Sequence, residues 1–74
     1  VMNLNKYNIT EIRYPDSIYK LGVPTEIMDE GSFYKIDDTH IFDKYKIVSI
    51  KNEGNQIIVH MKEQDVVLTV IERK

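Results

Sequence analysis

Along the C-terminal half of the chain, apolar and polar residues alternate with a period of two, the spacing of a strand that buries one face. Residues 45–51 read as a strand with Val48 and Ile50 on one face and Ser49 and Lys51 on the other. Residues 56–62 alternate again, Ile57, Val59 and Met61 opposing Ile58, His60 and Lys62. In residues 66–73, Val66, Leu68 and Val70 oppose Val67, Thr69 and Ile71. Residues 52–55, where Gly54 is free to take positive φ, and residues 63–65 supply short turns between these runs. The pattern predicts a three-stranded antiparallel meander. Its buried face is expected to carry Val48, Ile50, Ile57, Val59, Met61, Leu68 and Val70.

The N-terminal half follows neither period cleanly. Residues 23–28 fit a strand with Val23, Thr25 and Ile27 on one face, and Pro24 confines it to an edge or a strand start. Residues 29–32 read as a turn and residues 33–36 as a short strand or the arm of a loop. Residues 37–40 are polar and fit a tight turn or a single helical turn before Ile41 and Phe42. Within residues 4–14, Tyr7 and Ile9 alternate, as do Ile12 and Tyr14, but the parity flips between the pairs. A bulged strand accounts for the flip, and so does a loop packed on the mouth of a barrel. Pro15, Asp16 and Ser17 end that segment either way.

Composition points the same way. The 74 residues include eleven Ile, seven Val and four Thr, only three Leu and no Ala. Branching at Cβ freezes χ1 against a helical turn but packs well on a pleated sheet. Counting the strands gives five, with a sixth near the N-terminus as an option. Large apolar residues on both faces of the last two strands require barrel closure or a second buried interface. The expected fold is therefore all-β: one small domain over residues 1–74, a five- to six-stranded, partly open antiparallel barrel with at most one helical turn. The run 66–71 is β-branched and uncharged, an aggregation hazard if left as a bare edge. Closure of the barrel over it, and hence a monomer, is favoured over a homodimer paired through that edge.

The stretch from Leu21 to Ile27, the polar excursion through Gly31 to Asp43 and the three meander strands together resemble a Src-homology-3-like small β-barrel. The resemblance covers residues 20–74 and implies a fold only. The peptide-binding members use a tryptophan in their polyproline groove, and this chain has none, so no function carries over.

Charge and chemistry narrow the function classes. Ten basic and twelve acidic residues give a net charge of −2 with the signs interspersed. Lys35, Lys44, Lys46, Lys51 and Lys62 lie among Tyr34, Phe42 and Tyr45, an aromatic and cationic mixture that can stack bases. The net negative charge weighs against nucleic acid as the partner, because the long-range electrostatic attraction is missing. There is no cysteine, hence no disulfide and no thiolate metal site. No run is long and apolar enough to span a membrane. Met2 behind a lone Val1 reads as a start without a signal peptide, and the expected setting is the cytoplasm. The Ile/Lys/Asn-rich, Ala-free usage fits an AT-rich genome and a bacterial or phage accessory factor.

Asp37, Asp38, His40 and Asp43 form a polar cluster, but with one imidazole and no ligand spacing no metal and no cofactor are expected there. His60 is expected to face outward, satisfied by solvent or by Thr69. Ser17, Ser32 and Ser49 lack the glycine context of an activated nucleophile. The three glycines are too scattered for a phosphate loop. Catalysis is not expected. The tyrosines are amphipathic anchors of the type enriched at interfaces. Tyr14, Tyr19, Tyr34 and Tyr45, with His60, are the candidate surface for a protein partner. The expected function is a non-catalytic interaction module that binds or blocks another protein, with a nucleic-acid-associated barrel as the alternative.

Overall fold

The computed structural model describes residues 7–72. Strands β1 (Tyr7–Tyr14), β2 (Ser17–Glu26), β6 (Ile47–Glu53), β7 (Gln56–Met61) and β8 (Asp65–Glu72) form an antiparallel sheet in the order β2-β1-β8-β7-β6. Three shorter strands, β3 (Met28–Asp29), β4 (Phe33–Lys35) and β5 (Ile41–Asp43), form a second sheet. A 3-10 turn, Lys44–Lys46, links β5 to β6, and the Tyr45 amide within it donates to the Asp43 carboxylate at 2.9 Å. Among the described residues, no helix is long and apolar enough to cross a membrane.

The meander forms where the alternation predicts it. Gly54, at φ +67°, opens the two-residue turn between β6 and β7, and Asn55 keeps a negative φ. That combination is the II′ pattern, which matches the twist of the flanking strands. Ile57, Val59, Leu68 and Val70 are buried, and Ile50 and Met61 pack against them half-buried. Val48 is not in the core: it is 67% exposed. The register shifts between Ile47 and Ser49, so a bulge turns Ile47 and Ile50 inward and leaves Val48 outside.

A second bulge resolves the N-terminal ambiguity. The register of β1 shifts between Ile9 and Glu11 against both neighbours, so Ile9 and Ile12, three residues apart, both reach the core with no measurable exposure. The Thr10 hydroxyl donates to the Thr69 carbonyl at 3.2 Å and secures the bulge. Pro15 and Asp16 close a two-residue turn into β2, which begins at Ser17 rather than near Val23. Along β2, Lys20 faces Glu11 and Thr25 faces Ile9, so residues 21–24 lie opposite Thr10 alone. This excursion breaks the expected shared face of Val23, Thr25 and Ile27: Val23 is 74% exposed while Ile27 is buried. Pro24 sits on an edge strand, as its missing amide hydrogen requires.

The sheet is not closed into a barrel. Its apolar face is covered instead by a second layer, with Ile27, Ile36 and Phe42 from residues 27–46 joining Ile9, Ile12, Ile57, Val59, Val66, Leu68 and Val70 in one core. Strand β8 is no edge: β1 pairs with one side of it and β7 with the other. Its β-branched run is thus covered by the N-terminal strand, without closure and without a second chain.

Candidate binding groove

Two tyrosines and a histidine meet at the turn end of the β1–β2 hairpin. Tyr14 pairs with Ser17 and Ile12 with Tyr19 across that hairpin, so Tyr14 and Tyr19 are diagonal neighbours on one face. Their rings lie edge to face, 5.6 Å apart at 87°. The third ring comes from the covering layer. The Asp37 carboxylate accepts hydrogen bonds from Thr39 N at 2.9 Å, Thr39 Oγ1 at 2.9 Å and His40 N at 2.8 Å. Ile36 N donates to the His40 carbonyl at 2.9 Å. These bonds fix a tight turn in the polar stretch and set His40 between the buried side chains of Ile36 and Phe42.

The His40 imidazole is itself buried, 7% exposed. It stacks on Tyr14 with centroids 5.7 Å apart and meets the edge of Tyr19 at 4.8 Å. The Tyr14 hydroxyl and His40 Nδ1 share a hydrogen bond of 2.8 Å. Burial pushes the Tyr14 phenol up, reinforced by the nearby Tyr19 and Asp37, so it stays protonated throughout the neutral range. When Tyr14 donates, the proton of the neutral imidazole sits on Nε2; when Nδ1–H donates to Tyr14, Nε2 carries a lone pair. The pair can therefore offer the groove either a donor or an acceptor. For Asp37, burial pushes the carboxyl up, but the bonds from Thr39 and His40 outweigh it and hold it below the usual range.

Around these rings lies an open groove of about 560 Å³, lined also by Asp16, Ser17, Thr39 and Gln64. Gln64, in the β7–β8 turn, also borders a smaller depression of about 140 Å³ reached by Ile41, Met61, Asp43, Lys46 and Glu63. Tyr19 is 46% exposed, so its ring forms an open wall of the groove, while Ile18, paired with Arg13, lies on the opposite face of the sheet.

The other expected interface residues lie elsewhere. Tyr34, on β4, is half-buried against the core, with Lys44 Nζ 4.6 Å above its ring. Tyr45 stands in the 3-10 turn, largely exposed. His60 sits on the opposite face of the large sheet, with Nδ1 3.1 Å from the Asp65 carboxylate. The register sets Asp65 across from His60 and puts Thr69 across from Gln56, so Thr69 is not the neighbour of His60.

The polar cluster disperses. Asp38 pairs with Lys35 at 3.0 Å, Asp43 caps the 3-10 turn, Asp37 holds its own turn and His40 turns to Tyr14. Among the described residues, no group of three or more His, Asp or Glu side chains is placed to hold a metal ion. Asp16, Ser17, Thr39, His40 and Gln64 are the groove residues that sequence reasoning did not assign to a binding surface. The shared parity of His40 and Phe42 was the available signal for His40, and nothing marked the other four. No family model, no curated protein and no solved structure matches the chain.

Proposed function

We propose that the protein is a non-catalytic binding module that grips a segment of a partner protein in the groove between Tyr14, Tyr19 and His40. The observation that carries this reading is the ring cluster itself: two tyrosines and a buried histidine, locked by a 2.8 Å hydrogen bond, lining a groove that opens to solvent. Rigid amphipathic rings lose little rotamer entropy on binding, which is why tyrosine anchors interfaces. The groove does not enclose its occupant: Asp16 and Tyr19 are exposed, whereas a small-molecule site buries most of its ligand.

Binding rather than chemistry fits Tyr14, whose raised pKa keeps it a hydrogen-bond partner and not a nucleophile. The nucleic-acid alternative is weakened by ion pairing. Lys35, Lys44, Lys46 and Lys51 each lie within 3.8 Å of a carboxylate, which cancels the positive field that a phosphate backbone needs. The proposed setting is a cytoplasmic monomer, an accessory factor of bacterial or phage type that blocks its target by occupancy. Nothing in the reading draws on the Src-homology-3-like resemblance.

Selection of phage-displayed random peptides, followed by amide chemical-shift mapping of the enriched ones, tests the proposal. The expected shifts cluster at Tyr14, Ser17, Tyr19, Thr39, His40 and Gln64. Enriched peptides that map instead to the face around Ile58, His60 and Val67 would overturn it.

A further inference from the structure

We infer that the groove takes the guanidinium of an arginine carried by the partner segment, seated over Tyr19 and paired with Asp16. This rests on the groove being the binding site and adds the chemistry of its occupant. The molecule already contains one completed version of the same arrangement. On the small sheet, Lys44 Nζ lies 4.6 Å over the Tyr34 ring and 2.6 Å from the Asp29 carboxylate, a cation held between a π-face and an anion. The groove has the ring and the carboxylate but no cation: its lining includes Asp16 and neither lysine nor arginine.

Several carboxylates elsewhere in the molecule already hold a cation or a histidine. Asp29, Asp38, Glu53, Glu63 and Asp65 each have a cationic or histidine partner within 3.8 Å. Among the described residues Asp16 makes no ion pair, and its carboxylate accepts only a long 3.4 Å bond from the adjacent Ser17 hydroxyl. Asp37 lies close enough to act electrostatically on the Tyr14 hydroxyl, a second carboxylate beside the ring cluster. An exposed tyrosine ring sharing a groove with an unpaired carboxylate attracts a cation by its quadrupole and by charge together. Arginine fits better than lysine, because a flat guanidinium stacks on the ring while two of its N–H groups reach one carboxylate. Gln64 offers an amide oxygen for a further N–H. His40, in the tautomer with its proton on Nδ1, offers the Nε2 lone pair.

The test uses four blocked pentapeptides with Arg, Lys, citrulline or Glu between glycine pairs, titrated into the protein and followed through the ring signals of Tyr19 and His40. Citrulline keeps the shape of arginine and removes its charge. The arginine peptide is expected to bind saturably and about fivefold or more tighter than citrulline, with lysine between them. Asp16→Asn, in an exposed turn, is expected to bring arginine down to the citrulline level with an unchanged melting temperature. Equal binding of arginine and citrulline by the parent protein would overturn the inference, and so would an arginine preference that survives Asp16→Asn. The displayed-peptide selection separates the two failures. Groove-binding peptides without enriched arginine sink only this inference, whereas an absence of groove binders sinks the groove reading too.

Discussion

The large sheet and the segment that covers it are held together in different ways. Strands β6, β7 and β8 are specified by alternation, and their buried members Ile57, Val59, Val66, Leu68 and Val70 contact across neighbouring strands. Residues 27–46 contribute only Ile27, Ile36 and Phe42 to the same core. Beside the β3–β4–β5 ladder, their shape comes from short-range polar bonds, Asp29 to Gly31 N, Asp37 to Thr39 and His40, and Asp43 to Tyr45 N, and from the longer-range pair of Lys44 with Asp29. The first region is organised by what it hides from water. The second is organised by carboxylates that catch backbone amides, and it is the second that delivers His40 to the groove.

The sharpest break of this contrast comes from the sheet. Ile57→Ala and Leu68→Ala each remove a fully buried side chain and are expected to cost about 2–5 kcal/mol, a large share of a small domain's stability. Val48→Ala, in the same sheet but at the β6 bulge, should stay within about 0.5 kcal/mol. Denaturant melts of the three variants check both statements. A Val48→Ala cost equal to that of Leu68→Ala would remove the bulge from the account.

Asp37→Asn probes the covering segment and should act at intermediate size, about 1 kcal/mol, by weakening the turn bonds. Its pH dependence has a definite sign. The Asp37 carboxyl is held below its ordinary value in the folded protein, so its contribution is present above the unfolded pKa, near 4, and is lost as pH falls through the lower folded value. The parent should therefore lose more stability than Asp37→Asn between about pH 5 and pH 2. Parallel losses would assign the turn to other contacts.

Tyr14→Phe removes only the hydroxyl facing His40 and should cost about 0.5–1.5 kcal/mol. The ring stack on His40 stays, so the distinguishing readout is the 15N spectrum of the imidazole. Nδ1 is expected to lose its hydrogen-bonded signature while the sheet amides stay in place. Breaking Lys44–Asp29 by Lys44→Ala should have the smallest effect, because the pair is exposed and screened by salt. A melting temperature that shifts as far as that of Tyr14→Phe would show the small sheet to be pinned by that pair.

How much of this was legible in the sequence follows from the same contrast. Ile57, Val59, Leu68 and Val70 could be placed because burial on one face writes itself into parity. Val48 could not, because a bulge changes parity without changing residue type. The β1–β2 hairpin was hidden for the same reason, with one irregularity at Thr10 and another across residues 21–24 of the partner strand. Tyr14 and Tyr19 were identified as anchors by residue type, and their meeting followed only once the Pro15–Asp16 turn set the register. His40 drew attention only as one member of a polar cluster in which no metal was expected. Its actual partner, Tyr14, is 26 residues away, a distance over which local pattern carries no information.

The central claim is that Tyr19 and the His40-braced Tyr14 form the binding surface, and paired affinities test it most directly. The peptide most enriched in the display selection would be titrated against the parent, Tyr19→Ala and Val48→Ala. The latter two truncate exposed apolar residues on the two opposite edge strands of one sheet. The account predicts about a tenfold or greater loss for Tyr19→Ala and no change for Val48→Ala. Equal affinities for the parent and Tyr19→Ala, with both folded, would contradict it.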